Sequence, residues 1–412
     1  MSSLTWLDYS SEEQKRILDT VKLLDEPGTR DELGIGMVRD SFADQLFPGT
    51  STIQTRARYF LFVPWIYLKL ERQGTASSKA HAVARKDEIA LIDALAASGE
   101  TSGLIGVQAR AGLQRLPSSI YWNGLGLWGI RLCSGSQDQY HRSLDRFHVA
   151  AEMHTKSEAE SRARGEAESL SRPPRNWHAG IPSAPKHFLK ETGFALTAVE
   201  AEYLRERIMT RVPDTLLAFL VDEGRPGDPV DFPWEHPQAA SFPAHIREQL
   251  AHARNFSEVI HGAALLYNLM LARRKEHKDW IDLHAEGFAE WVSMAEARAE
   301  SLSNWDRQRF WEIAASGGRR ILPTTRGFID QWVDLVLEAP NGSALAESRR
   351  AFRLIEDREC AIKTTLARLT NQRALDAWGG RSGDARLDFR WRVSQDILGD
   401  ILAVGANGDA SA

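Results

Sequence analysis

The sequence predicts an all-α chain folded as two helical lobes, with little or no β-sheet, and three observations carry that prediction. Helix-start signals recur from end to end, apolar residues return at helical spacing, and alternating β-branched runs bounded by turn residues are nearly absent. A chain of 412 residues also exceeds one ordinary core.

The start signals are capping boxes, in which a Ser or Thr hydroxyl accepts the N3 amide and a Glu or Gln at N3 returns the bond. They fit at Ser10–Glu13, Thr29–Glu32, Ser51–Gln54 and Thr197–Glu200. The first opens EEQKRILDTVKLL, which should stop before Pro27 and Gly28. The third opens a helix whose stretch from Tyr59 to Leu70 is apolar on nearly all sides, so it reads as a buried central helix, kinked by Pro64. Arg56 and Arg58 would then lie in its first turns. Residues 86–131 follow with KDEIALIDALAAS, SGLIGVQARAGL and PSSIYWNGLGLWGI, three short helical stretches compatible with a helix-turn-helix-like part.

This organisation sets an N-terminal helical domain at 1–151. Residues 152–186 alternate charge and end in prolines, so they read as an exposed linker or insertion. A C-terminal helical domain fills 187–412, interrupted by a loop at 224–243 in which prolines 226, 229, 233, 237 and 243 preclude regular structure. Its long amphipathic segments are HIREQLAHARNFSEVIHGAALLYNLMLARR, DWIDLHAEGFAEWVSMAEARAESL, RGFIDQWVDLVLEA and ESRRAFRLIEDRECAIKTTLARLT. No fixed-period repeat supports a solenoid.

Composition narrows the function classes. Net charge is −5, so any nucleic-acid contact has to be local. Arginine supplies 40 of the 51 basic residues, a bias that suits bidentate contact with phosphate or carboxylate and that GC-rich coding produces equally well. Cys133 and Cys360 lie far apart and in no ligand-spaced cluster, which fits a reducing compartment. The first nine residues lack the pattern of a secretory signal, and no apolar run reaches the roughly 20 residues a bilayer span needs. The expectation is a cytoplasmic protein with no membrane segment.

Motifs with a chemical mechanism are missing. The sequence holds no GxxxxGK[ST], GxSxG or HExxH. Glu13–Lys15 spells ExK, but on a surface-type helix. His277 and His284, with Asp279 and Asp282 between them, share a helix face that reads as a solvated charged surface before it reads as a metal site. No cofactor, metal or catalytic residue is therefore assigned.

Two regions leave sharper alternatives open. In TRDELGIGMVRDSFADQLFPGTSTIQTRARYF, Asp31, Glu32, Asp40 and Asp44 accompany Arg30, Arg39, Arg56 and Arg58 around glycines 34, 36 and 49. Either this is a buried ion-pair network that sets how helices meet, or Arg39, Arg56 and Arg58 hold a phosphate or carboxylate beside the polar cluster Asp31, Glu32 and Asp40. From Leu116 to Arg131, Tyr121, Trp122 and Trp128 with glycines 124, 126 and 129 read as a helix packed close to a neighbour. The alternative is contact of Trp122 with nucleic acid, helped by Arg110, Arg115 and Arg131. Residues 345–392 carry 11 Lys and Arg against 7 Asp and Glu, a mild basic excess.

The chain resembles a bacterial family classed as a domain of unknown function. The resemblance rests on TWLDYS at 5–10, TRDELGIGMVRDSFADQLFPGTSTIQTRARYFLFVPWIYLKLE at 29–71, RLPSSIYWNGLGLWGIR at 115–131 and ARLDFRW at 385–391. It implies cytoplasmic proteins of mobile or phage-defence gene neighbourhoods, with no activity or catalytic residue to transfer. The resulting expectation is a non-enzymatic component of a bacterial multi-protein, anti-phage system that engages DNA or a partner protein, including proteins of its own operon. An enzyme acting on a phosphorylated substrate at the Asp31–Arg58 cluster, and a structural scaffold, are the alternatives.

Overall fold

The computed structural model describes residues 31–109, 112–163, 175–225, 227–339 and 342–408. Among them are fifteen α-helices and no strand, the only β-type pairing being an isolated antiparallel bridge between Arg131 and Trp177. No described helix is long and apolar enough to cross a membrane. The all-α expectation holds. The helix expected after Ser10 lies outside the described residues.

The chain divides into two compact units, and each draws on two stretches of sequence. The first unit joins Met1–Phe42 to Glu248–Phe389, and the second joins Ala43–Arg247 to Arg390–Ala412. Consecutive lobes meeting at 152–186 are therefore not what forms, because both ends of the C-terminal half, up to Arg247 and from Arg390, belong to the second unit, while its middle, Glu248–Phe389, belongs to the first.

Helix α1 (Gly36–Leu46) belongs to the first unit up to Phe42 and to the second from Ala43; the second unit then forms the all-round apolar helix α2 (Tyr59–Arg72), which continues through Pro64 and buries ten of its residues. Two of its neighbours are α3 (Ser77–Ala97) and α4 (Pro117–Leu127). Phe60 stacks on Trp128 with ring centroids 3.8 Å apart, and Gly124 is required beneath them: a Cβ there would lie 2.3 Å from the Gly49 carbonyl oxygen. The close-packing reading of these aromatics is thus what the core contains. α5 (Gln137–Ala163) packs on α3. Then come α6 (Ala198–Arg211), α7 (Leu216–Glu223) and, from the chain's other end, α15 (Trp391–Gly408), which contact one another.

Three local expectations need correction. Ser51–Gln54 opens no helix: the Gln54 side chain accepts the Ser51 amide at 3.1 Å, but the segment is a turn and α2 starts only at Tyr59. Arg56 and Arg58 therefore precede the helix. The middle stretch of the helix-turn-helix-like part is also non-helical, since Thr101–Ala109 runs in turns with Gly103 and Gly106 at φ +77° and +83°. Those left-handed glycines end the periodicity that the apolar spacing suggested. Finally, the region expected as an exposed linker is docked where it is described beyond the helix. Trp177 is buried and donates to the Tyr140 hydroxyl, the His178 amide donates to Ile130, and Trp65 donates to the Pro182 carbonyl. A single large aromatic outweighs the polar average of the segment.

In the first unit, α8 (Ala244–Arg274) and α9 (Lys278–Ala297) meet where the Trp291 ring lies on Gly262; a Cβ at that glycine would sit 2.2 Å from the ring. The short α10 (Ala299–Ser303), α11 (Arg307–Ser316), α12 (Pro323–Glu338), α13 (Arg349–Lys363) and α14 (Gln372–Asp376) complete it. His284 is buried and bonds the Gly380 carbonyl through Nε2 at 2.7 Å, so it serves packing.

A buried polar chain in the second unit gives a test by pH. Glu88 on α3 is fully buried and accepts both the Ser118 hydroxyl at 2.7 Å and the Ser118 amide at 2.8 Å. Gln137 bridges Ser118 to the Tyr67 hydroxyl, which meets His141 Nε2 at 3.0 Å. Burial pushes the Glu88 carboxyl up to about 7 against the pull of Ser118, and burial with His81 lowers His141 to about 4. Because the folded pKa of Glu88 is raised, its contribution is favourable below about 4.5 and is lost as pH rises through about 7. Glu88→Gln should therefore gain about 2–3 kcal/mol on the wild type between pH 5 and pH 8. Urea titrations at both pH values showing a constant difference would contradict this. The His141 contribution runs the other way, lost as pH falls from 6.5 toward 4, and is common to both proteins.

Candidate functional site

The charges of the Asp31–Arg58 segment do not form one cluster. Asp31 caps α1, accepting the Ile35 amide at 2.7 Å and the Gly36 amide at 2.6 Å, as an anion at a helix N-terminus should. Glu32 is buried against Lys363 and lies 3.0 Å from Arg368. Burial raises its carboxyl, but those two cations win and hold it below its ordinary value. Arg39 pairs with the adjacent Asp40 at 3.0 Å, and Asp44 pairs with Arg390 at 2.7 Å. Arg56 makes a two-pronged pair with Asp400, which also accepts the Ala57 amide. Arg58 is buried against Glu200 at 2.9 Å and bonds the Gly193 carbonyl. Each of these groups is occupied by a partner, more than 300 positions away for Glu32, Asp44 and Arg56.

A different set of cations converges in the second unit. A cleft of about 430 Å³ is lined by the end of α4, the turn after it and the last turns of α6. Three arginines reach it: Arg131, Arg207 and Arg211. No Asp or Glu is among its lining residues. By contrast, the larger hollow of about 800 Å³ in the first unit sets two arginines against three carboxylates, with Arg307 on Asp334, Arg326 near Asp330, and Glu312 besides.

Local sequence explains how the three guanidiniums get there. Arg207 and Arg211 are four apart on α6, so they share a face. Arg131 follows α4 and lies over the Trp122 ring at 4.8 Å, bonded to the carbonyls of Trp122, Cys133 and Gly135. Two glycines make room. A Cβ at Gly126 would sit 2.5 Å from Arg131 Nη2, and one at Gly129, whose φ of +62° already favours glycine, would sit 2.8 Å from Arg211 Nε.

Arg207 is the deepest of the three, 6% exposed. Its Nε donates to the Trp128 carbonyl, and its Nη1 donates to His178 Nε2 at 2.8 Å and reaches Glu206 at 3.4 Å. The Gly180 amide approaches His178 Nδ1 at 3.2 Å, so both ring nitrogens face donors. Burial, and then Arg207, lower the His178 pKa, so the ring is neutral at pH 7. Burial pushes the Cys133 thiol up despite Arg131, so this sulfur is no ready thiolate. The cleft thus offers donors and positive charge, with its histidine already engaged.

Of the residues singled out from sequence, Arg131 lines this cleft, while Trp122 is buried beneath it and presents no free face to a base. Arg115 is half-buried in the turn before α4, and Arg110 lies outside the described residues. Arg207, Arg211 and His178 escaped the sequence reading. The i, i+4 arginine pair in RERIMTR is the signal that marks two of them.

Among known families, a family of unknown function, DUF6361, matches residues 1–148 and 160–405. No curated protein matches the chain, and no solved structure does.

Proposed function

We propose that this chain, which belongs to DUF6361, is a non-enzymatic cytoplasmic component of a bacterial multi-protein system of the antiviral-defence kind, and that it engages DNA through the arginine cleft of its second unit. The observation that carries the reading is the convergence of Arg131, Arg207 and Arg211 on a cleft with no lining carboxylate. Lining cations in excess of their counter-charge, here Arg131 and Arg211 beside an Arg207 that reaches Glu206 at 3.4 Å, attract phosphate and release its counterions, a local effect that a net charge of −5 does not abolish. Binding is favoured over catalysis because the thiol is held protonated and His178 Nε2 is occupied by Arg207.

Fluorescence anisotropy with a labelled oligonucleotide tests it. Replacing Arg131 and Arg211 together by glutamine should weaken binding more than tenfold at low salt, and a thermal melt checks that the double variant folds, because Arg131 also bonds the carbonyls of Trp122, Cys133 and Gly135. Unchanged affinity in the stable double variant would overturn the proposal, as would saturable binding only to an acidic partner protein.

A further inference from the structure

We infer, building on the reading of this cleft as a phosphate site, that it selects a terminal phosphate monoester on a nucleoside over the internal phosphodiesters of a strand. The inference rests on depth, donor count and the chemistry of the rim.

Depth comes first. Arg207 lies inside a cleft of about 430 Å³ and is 6% exposed, whereas Arg131 is half-buried and Arg211 exposed. That volume falls in the range of about 300–1,000 Å³ typical of small-molecule pockets. An internal diester is tied to the chain on both sides, so reaching the deepest arginine would require the strand to enter and leave through the same mouth. A terminal phosphate has one tether.

Donor count agrees. Arg207 spends Nε and Nη1 on Trp128, His178 and Glu206, and Nη2, with two N–H groups, makes no hydrogen bond among the described residues. A monoester brings three acceptor oxygens and a charge of about −1.5 to −2 at neutral pH, against −1 and two free oxygens for a diester. Three guanidiniums match the former better.

The rim adds a preference for an organic group. Leu127 and Leu132 line the same cleft and are 44% and 51% exposed. Apolar side chains at the mouth give a nucleoside surface to rest on while its phosphate lies below, which inorganic phosphate would not use.

The shared chemistry can come from a strand end or from a free mononucleotide, and competition experiments on the full-length protein separate them. A labelled 12-nucleotide single strand with a 5′- or 3′-phosphate should bind at least tenfold tighter than the same strand ending in hydroxyls. A mononucleotide monophosphate should displace it, and its nucleoside should not. Displacement at concentrations similar to the unlabelled phosphorylated strand identifies the free nucleotide as a sufficient ligand, and a requirement for tenfold more identifies the strand end; either supports the inference. If a closed single-stranded circle competes as well as the phosphorylated linear strand, end selectivity is wrong while DNA binding stands. If no strand and no nucleotide binds, both readings fall.

Two variants localise the effect. Arg207→Lys removes the Nη2 donors and should abolish the preference for phosphorylated ends; it also removes the Nε bond to the Trp128 carbonyl, so a thermal melt accompanies it. Gly126→Ala leaves Arg207 in place: the three atoms nearest its Cβ belong to Arg131, whose guanidinium it should displace. It should reduce the preference at least threefold in a protein that still shows a cooperative melt. A stable Gly126→Ala protein with full preference, together with a folded Arg207→Lys protein that also keeps it, would overturn the assignment to this cleft.

Discussion

Glu359→Ala is expected to lose about 4–6 kcal/mol of stability in the first unit, the largest effect of any single substitution considered. Glu359 on α13 is fully buried and is the hub of a polar network. It accepts the Tyr267 hydroxyl at 2.5 Å, Lys363 at 3.0 Å, and the amides of Arg368 and Leu369 at 3.0 and 2.9 Å. Burial raises its carboxyl, yet these donors prevail and hold it below its ordinary value. Deleting it strands two buried amides, each worth about 1–3 kcal/mol, and takes from Lys363 one of its two carboxylate partners, leaving Glu32. Thermal melts and hydrogen exchange of the α13 amides measure the loss. A drop under about 1 kcal/mol would mean that water reaches this network. Because the folded pKa is depressed, this contribution is present above about pH 4.5 and disappears as the medium is acidified below it.

Arg58→Ala should cost the second unit about 3–5 kcal/mol, since it leaves Glu200 charged and buried. The two side chains are 9% and 4% exposed. Glu200 also completes the capping box of α6, its Oε2 accepting the Thr197 amide at 3.0 Å while Thr197 accepts the Glu200 amide. Losing Arg58 therefore disturbs the start of the helix whose last turns carry Arg207 and Arg211. The Arg56→Ala control should lose less, about 1–2 kcal/mol, because Asp400 keeps the Ala57 amide and Arg56 is a quarter exposed. Equal losses would show that burial of the pair does not set the cost.

What was legible in the sequence follows from the range over which each signal acts. Thr197–Glu200 is a local bond exchange, so its spacing alone located the start of α6. The apolar run from Tyr59 to Leu70 likewise identified the helix at the core of the second unit. Arg56 and Arg58 were marked as ion-pair candidates, but their partners Asp400 and Glu200 lie 344 and 142 residues away. Nothing in local charge spacing reports such partners. The acidic residues beside them in sequence serve other ends, as the Asp31 cap on α1 shows. The same limit hid the cleft. Arg131 sat in a segment dominated by Trp122 and Trp128, and only the fold brings Arg207 and Arg211 to it from α6. Glycines 124, 126 and 129 share one close-packing signal in the sequence, yet Gly126 clears space for the nearby Arg131, and Gly129 for Arg211 of a helix that local spacing does not report.

The most direct test of the central claim is the salt dependence of oligonucleotide binding by the wild type and by the Arg131→Gln, Arg211→Gln double variant. If the cleft holds phosphate, the slope of log affinity against log salt concentration should flatten by about one unit, because both arginines act on the one phosphate the cleft holds. Parallel lines for the two proteins, whatever their absolute affinities, would contradict the assignment of this cleft as the phosphate site.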